Sequence, residues 1–492
     1  MCAVLATYAS ALAIERRAHL HVDVVVQAVV LALSAARVQR RVDRLDRLIG
    51  FAVLPATAMA ATGAQWLMAV HPAVGDTLFV VVIAASIWVR RFGSRAVRAG
   101  TLMVLPFVAI LVVHGQAAAM VTWHGALWSA VIALVACAWV TVLQLLAAQA
   151  GFGDIPTRTT VPPVRPGARR LSPSTRLALQ MGTALAAAFV VGRTLWPQHW
   201  AWPVLTAFIV CSGARGRGDV LLKSLLRTLG AGVGTLAAAL IAGSFAPHAD
   251  GAVVVIFVVL AVAAWLREAS YVYWAGGVTA GLSLLYDWFG EPPGDLLRTR
   301  LAGIAVGGAL GLAASWLVLP IRTGQVLRRR AADAVAALGG VLAAACDSAG
   351  VEKDELWRRQ RGFEHAVGQL EQIARPLRAR RTLESRWAPG RPHQADAIDL
   401  IRGCLPEVRT LTEALPELRP LPPCVTDLGV AVSANALAAL KTIGRRPEAH
   451  LRQATASASR DPDSTPAITA LEQINHRLTD LTTVFSTPPG PR

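Results

Sequence analysis

Apolar segments separated by arginine-rich loops fill the first 320 residues of this sequence. A transmembrane helix needs about 20 mostly apolar residues to cross roughly 30 Å of hydrocarbon. Length and hydropathy indicate about twelve candidate segments, which are, in chain order, 1–14, 20–36, 48–70, 77–89, 99–114, 121–148, 175–195, 200–211, 228–245, 252–266, 271–289 and 301–319. The sequence therefore predicts an all-α, polytopic membrane protein whose first segment is short for a complete crossing.

Lysine and arginine are concentrated in alternate loops. The basic loops are 37–47, 90–98, 158–170 and 215–227. The loops 71–76, 115–120 and 246–251 contain no Lys or Arg. Because basic loops stay on the cytoplasmic side, we expect an inner (cell) membrane protein with both termini in the cytoplasm. Arg16, Arg17, Arg298 and Arg300 are exceptions to this alternation.

The net charge of +17 fits this arrangement, since cytoplasmic loops face anionic lipid. Nucleic-acid binding is a weaker reading of the charge, because the arginines fall between apolar segments rather than along one face. We therefore expect the lipid bilayer as a partner and no nucleic acid.

The composition changes three times along the chain. Four parts are predicted: an N-terminal membrane domain (1–150), a cytoplasmic linker rich in Pro, Arg and Thr (151–174), a C-terminal membrane domain (175–320) and a cytoplasmic domain of amphipathic helices (321–492). The third and ninth segments open alike, with RLDRLIG ending at Gly50 and KSLLRTLG ending at Gly230. This similarity favours two copies of a six-helix unit, as in many transporters.

The stretch from Trp196 to Leu240 joins the elements of greatest interest. A short apolar segment rimmed by tryptophans contains Pro203, so a broken or re-entrant helix is one expectation. A Gly/Arg loop follows, and the next helix carries Gly230 and Gly234 at the small-xxx-small spacing that allows close helix contact.

This stretch resembles the fusaric acid resistance family of aromatic-acid exporters. The family pattern W-A-x-x-T is matched here by Trp200, Ala201 and Thr206, with Pro203 among the four residues that separate Ala201 from Thr206. The pattern R-x-L-G-x-x-x-G-T reads Arg227-Leu229-Gly230-Gly234-Thr235. The resemblance covers most of 175–322 and, more loosely, 20–146. It implies a secondary transporter that exports aromatic carboxylic acids or related toxic organic anions, driven by the proton-motive force. Some relatives work with a periplasmic adaptor protein.

The candidate substrate-binding residues are cations and aromatic side chains near the segment ends: Arg193, Trp200, Trp202, Arg215, Arg217 and Arg227. A guanidinium can hold a carboxylate in a two-pronged contact, and an indole can stack an aromatic ring. The alternatives are snorkelling or positive-inside arginines and tryptophans anchored at the membrane interface.

Proton coupling needs a titratable group in the path, and Asp287 and His199 are the candidates. Arg193 and Asp287 should lie toward the same side of the membrane, so an ion pair between them is another reading. The candidate helix-packing residues are Gly230, Gly234, Gly277, Gly281, Gly303, Gly307 and Gly311. Their contacts could form within one chain or between copies, so a homo-oligomer is also an expectation.

No Walker A, H-E-x-x-H, G-x-S-x-G or kinase signature is present, and the six cysteines lack C-x-x-C spacing. We therefore expect no enzyme, no metal and no cofactor. Two alternatives to the exporter remain. The same basic, Gly-rich elements would serve a gated anion channel, and the last 172 or so residues could make the chain a membrane scaffold that binds a partner.

Overall fold

The computed structural model describes residues 2–18, 23–38, 44–112, 123–150, 172–214, 216–241, 249–288, 293–320, 323–346, 352–385, 393–415, 418, 421–444 and 465–486. Within these ranges every regular element is helical. The α-helices are α1 (Cys2–Ala18), α2 (Asp23–Val38), α3 (Arg44–Val70), α4 (Pro72–Val89), α5 (Ser94–Val112), α6 (Trp123–Gln149), α7 (Pro173–Leu195), α8 (Ala201–Cys211), α9 (Arg217–Ile241), α10 (Asp250–Leu266), α11 (Tyr271–Trp288), α12 (Pro293–Leu317), α13 (Thr323–Ala345), α14 (Lys353–Glu371), α15 (Ala374–Glu384), α16 (Asp396–Ala414), α17 (Pro423–Ile443) and α18 (Thr465–Ser486). A 3-10 turn, Arg90–Phe92, joins α4 to α5.

Each of the predicted apolar segments coincides with one helix from α1 to α12. Seven helices in the described part of the chain are long and apolar enough to cross a membrane: α3, α4, α6, α7, α9, α12 and α17. The helices α8 and α10 are apolar but shorter. The prediction of an all-helical, multi-pass membrane protein is therefore confirmed, whereas the total of about twelve crossings stays a prediction.

The lipid-facing surface is clearest on α9. Leu225, Leu229, Val233 and Leu236 recur every three or four residues along one side of this helix, and each is more than half exposed. A soluble domain would bury such a stripe, because contiguous exposed apolar surface is unfavourable in water. A bilayer is the environment in which this face is stable.

The helices form two compact units, one containing α1–α12 and the other α13–α18.

In the first unit, α8 is surrounded by protein: every residue of this helix except Ile209 is buried. At 1.5 Å per residue its 11 residues span only about 16 Å, about half the hydrocarbon thickness. Pro203 does not break α8, because it lies in the first turn, where the backbone N–H groups have no helical partner to lose.

Glycines let neighbouring helices approach α8. A Cβ added at Gly307 of α12 would overlap the Pro203 carbonyl oxygen, and one at Gly303 would lie 3.2 Å from the Pro203 Cδ. One at Gly311 would lie 3.2 Å from the Cys211 Sγ. The three glycines recur every four residues, so they form one strip on α12 against which α8 packs. We call this strip the α12 glycine groove.

The other glycines predicted to pack also lie at helix contacts. A Cβ at Gly230 of α9 would lie 2.6 Å from the Val272 carbonyl oxygen of α11, and one at Gly234 would overlap the Gly276 carbonyl. Gly277 of α11 abuts Ala263 of α10, and Gly281 makes an ordinary contact with Leu260.

The second unit has its own apolar core, to which α13, α14, α16, α17 and α18 each contribute buried side chains. Phe363, Leu338, Ile401, Val432 and Leu471 are representative. An amide pair joins α17 to α18, since the buried Asn435 donates from Nδ2 to the Oδ1 of the half-buried Asn475 at 2.7 Å.

Candidate functional site

Four of the eight predicted substrate-binding and proton-coupling residues lie at the connection between α7 and α8: Arg193, His199, Trp200 and Trp202. Arg193, in the last turn of α7, makes a two-pronged ion pair with Asp76 of α4: Nε donates to Oδ2 at 2.9 Å and Nη2 to Oδ1 at 2.7 Å. The guanidinium carbon also lies 4.2 Å from the centre of the Trp200 ring. Arg193 is therefore held by Asp76 and not by Asp287, and it is not a free, snorkelling side chain.

Trp200 is a core residue. It is only 2% exposed, and its ring lies 5.3 Å from that of Phe189, which in turn packs on Phe79. Trp202 is buried as well. Interface anchors keep their polar edge near water, so neither tryptophan has the environment of a belt residue. Their burial favours a role inside the protein over membrane-interface anchoring, which stays an alternative prediction.

Trp202 stands beside a buried arginine that sequence reasoning did not select. Arg300 of α12 is only 5% exposed, and its guanidinium carbon lies 5.7 Å from the centre of the Trp202 ring. Its Nη1 donates to the Ser283 Oγ of α11 at 2.6 Å. The His199 ring also lies near Trp202, with 4.6 Å between the two ring centres. The group His199, Trp202, Ser283 and Arg300 is hereafter the Arg300 site.

A signal for Arg300 was present in the sequence. Arg298 and Arg300 interrupt the alternation of basic and non-basic loops, and such an exception within an apolar region is a candidate for function. The two residues differ in their environment, because Arg298 is exposed and Arg300 is buried.

Asp287 lies on the same face of α11 as Ser283, since the two are four residues apart. Its side chain is half-buried and makes no ion pair with any described residue. Asp287 is therefore a titratable group on the face of α11 that carries the Ser283–Arg300 contact, and His199 is a second titratable group beside Trp202.

A second buried arginine lies where α9 and α11 meet. Arg227 is buried, and its guanidinium interacts with the Tyr271 hydroxyl at the start of α11. Its Nε has no hydrogen-bond partner among the described residues. A buried donor without a partner costs about 1–3 kcal/mol, so an acceptor arriving from outside the protein would be favoured here.

The remaining basic residues of the Gly/Arg loop secure the α8–α9 connection. Arg217 Nη2 donates to the Trp316 carbonyl of α12 at 3.2 Å. Lys223 Nζ donates to the Ser212 carbonyl at 3.1 Å and pairs with Asp219 at 3.4 Å. Arg215 lies outside the described residues.

Both arginine sites have the chemistry to bind an organic anion. Each combines a guanidinium, an aromatic side chain and a hydroxyl: Arg300 with Trp202 and Ser283, and Arg227 with Tyr271. A guanidinium in a low-dielectric interior attracts a carboxylate more strongly than one in water. Among the described residues, no three His, Cys, Asp or Glu side chains converge as a metal site would require.

These features define a class: an all-helical, multi-pass membrane protein with cationic and aromatic side chains buried between its helices. Residues 183–314 match the model of the fusaric acid resistance protein-like family, which confirms the resemblance seen in the sequence. The matched region runs from α7 to α12 and contains Arg193, Arg227 and Arg300. No curated protein matches the chain. The family match and the apolar helices are consistent with a transporter.

Proposed function

We propose that this protein is a secondary transporter of the inner membrane that exports aromatic carboxylic acids or related toxic organic anions, driven by the proton-motive force. The observation that carries the proposal is Arg300, a buried guanidinium beside the face of Trp202 within the family-matched region.

The chemistry of the Arg300 site suits an aromatic carboxylate. An arginine inside a membrane domain costs several kcal/mol and is kept where it serves a pathway or a partner. Arg300 can form two parallel hydrogen bonds to a carboxylate, and Trp202 offers an apolar surface of the size of a benzene ring. A hydroxybenzoate therefore satisfies both parts of the site.

Arg227 is proposed as a second anion site, reached from the basic loops. Its unpartnered Nε and its Tyr271 contact suit the capture of a carboxylate. If these loops face the cytoplasm, Arg227 receives the substrate first and the Arg300 site receives it later. Arg217 and Lys223 then hold the connection between α8 and α9 and need not touch the substrate.

Coupling to protons is assigned to Asp287 and His199. His199 belongs to the Arg300 site, where its ring lies 4.6 Å from that of Trp202, and Asp287 lies one helical turn from Ser283 of the same site. Proton binding to either side chain would change the charge beside Arg300 and thereby its affinity for an anion.

We also propose that α1–α6 and α7–α12 are two copies of one unit and that together they make about twelve crossings. The packing of the helices supports this, because equivalent pairs are in contact in both halves: α1 with α2 and α7 with α8, α3 with α5 and α9 with α11, α2 with α6 and α8 with α12. Both termini would then lie in the cytoplasm. A periplasmic adaptor protein and a homo-oligomer are further proposals.

The test compares two neighbouring arginines of α12 in proteoliposomes loaded with a labelled hydroxybenzoate. Arg300→Gln should lower pH-gradient-driven transport roughly 10- to 100-fold, because a charged hydrogen bond is worth about 1.5–3 kcal/mol. Arg298→Gln, a change of the same kind at an exposed position, should leave transport near the wild-type rate. Equal rates in both variants would exclude Arg300 from the substrate path.

The driving force separates the exporter from a channel. Transport by the proposed exporter stops when an uncoupler removes the proton gradient. Flux that follows the anion's own gradient and survives the uncoupler would indicate an anion channel. No transport above protein-free liposomes, for any aromatic acid tested, would favour the scaffold.

A further inference from the structure

Helix α17 of the second unit has two apolar faces, and only one of them is covered. Its inner face, with Val425, Leu428, Val432, Ala436 and Ala439, is part of the core of that unit. On the opposite face, Val430 is 55% exposed and Leu437 is 54% exposed. This helix is apolar enough to meet the criteria for a membrane span, although one side of it is packed against α13 and α18.

Four exposed residues and the half-buried Ala434 form a regular stripe, hereafter the α17 stripe: Asp427, Val430, Ala434, Leu437 and Lys441. Their spacing alternates between three and four residues, which is the spacing at which one helix packs along another. The small Ala434 stands at the centre, and opposite charges stand at the two ends.

We propose that the α17 stripe is an interface between two copies of this chain, in which the two α17 helices pack antiparallel about Ala434. In that arrangement Val430 of each copy meets Leu437 of the other. Asp427 of each copy meets Lys441 of the other, so both charges at each end are neutralised. Only in the antiparallel orientation does each residue of the α17 stripe meet a residue of matching character in the other copy.

A parallel pairing is disfavoured by the same residues. It would place Asp427 next to Asp427 and Lys441 next to Lys441, and like charges in contact are destabilising. Neither side chain makes an ion pair with a described residue of its own chain, so both are available.

A lipid surface is a poorer occupant than a second copy. The Asp427 carboxylate would have to approach acyl chains, which is costly for an unpaired charge. Stable soluble complexes bury about 1,200–2,000 Å² in their interface, and the α17 stripe offers only five residues from one helix. Two copies anchored in the same membrane have a high effective concentration, so a small, complementary interface is sufficient.

Disulfide cross-linking of the full-length chain in native membranes tests the arrangement. Cys2 and Cys424, which are not buried, are first replaced by Ser, and the buried cysteines stay. Ala434→Cys should then give a covalent dimer on mild oxidation, because the two Cα atoms come within about 6 Å. Asp427→Cys should not cross-link to itself, since 14 helical residues separate the two copies of this position by about 21 Å. Chains with Asp427→Cys should cross-link to co-expressed chains with Lys441→Cys.

Charge exchange supplies a second, independent readout. Asp427→Lys should lower the yield of the Ala434→Cys dimer roughly three- to tenfold, and adding Lys441→Asp in the same chain should restore it. Self-cross-linking at Asp427→Cys and Lys441→Cys would show a parallel pair and overturn the proposal. Absence of any dimer from Ala434→Cys, in protein that still carries out transport, would overturn it as well.

Discussion

The close contact between α8 and α12 makes a quantitative prediction for Gly307. A Cβ at this position would overlap the Pro203 carbonyl oxygen and lie 2.9 Å from the Pro203 Cα and 3.0 Å from its carbonyl carbon. All three are backbone atoms, so no side-chain rotation can relieve the overlap. Gly307→Ala therefore has to push α8 and α12 apart.

The expected cost follows from two opposing terms. Overpacking a well-packed interior costs about 1–3 kcal/mol, and backbone overlap places this site at the upper end. Replacing a helical glycine by alanine recovers about 1 kcal/mol of helix propensity. Gly307→Ala should therefore destabilise the first unit by about 2 kcal/mol.

Gly232 of α9 is the matched control. It is also a helical glycine, but a Cβ there would meet nothing within 4 Å. Gly232→Ala should be neutral or stabilise by up to about 1 kcal/mol, since only the propensity term remains.

The assay is the reactivity of Cys211, a buried thiol at the end of α8 that packs against the α12 glycine groove. Pulse labelling over a temperature ramp, read by mass spectrometry, should show earlier exposure in Gly307→Ala and no earlier exposure in Gly232→Ala. Equal protection of Cys211 in the two variants would refute the reasoning, because it would mean that α8 does not depend on the close contact.

Two further predictions concern charged groups. Asp76→Asn and Arg193→Gln should each destabilise the first unit by about 1–3 kcal/mol, and the double variant should cost less than their sum; strictly additive effects would contradict a direct pair. Burial lowers the pKa of His393, more than the Glu384 carboxylate raises it. The folded protein therefore favours the neutral imidazole, whose Nδ1 accepts a hydrogen bond from the Ala395 N–H. The stability that this imidazole contributes is complete above about pH 6.5 and is lost as the pH falls through the pKa of His393 in the folded protein. Hydrogen exchange of α15 should accelerate on acidification below about pH 6.5 in the wild type, and an unchanged profile in His393→Gln would contradict this assignment.

The helices could be predicted from the sequence because the bilayer imposes a simple rule. Long apolar runs and basic loops located α1 to α12. The starts of α9 and α12 were missed, since these helices begin 11 and 8 residues before the predicted apolar segments. The effect of Pro203 was harder to predict, because a proline breaks a helix in the interior but not in the first turn. It falls in the first turn of α8, where proline is tolerated.

The partners of the buried charges could not be read from the sequence. Arg193 and Asp76 are 117 positions apart, and no local pattern links them. The tryptophans were ambiguous for a similar reason, because an indole can serve in a core or at an interface, and only the packing of Trp200 on Phe189 distinguishes the two. Arg300 stood out in the sequence, because it is an exception to the alternation of basic and non-basic loops. Arg298 is the same kind of exception, and only the burial of Arg300 distinguishes the two.

The most direct test of the account is hydroxybenzoate transport by purified protein in proteoliposomes with an imposed pH gradient. The account predicts transport by the wild type that is abolished by an uncoupler, is lost in Arg300→Gln and is kept in Arg298→Gln. Uncoupler-insensitive flux, or full transport by Arg300→Gln, would contradict the claim that a proton-driven carrier moves organic anions past this buried arginine.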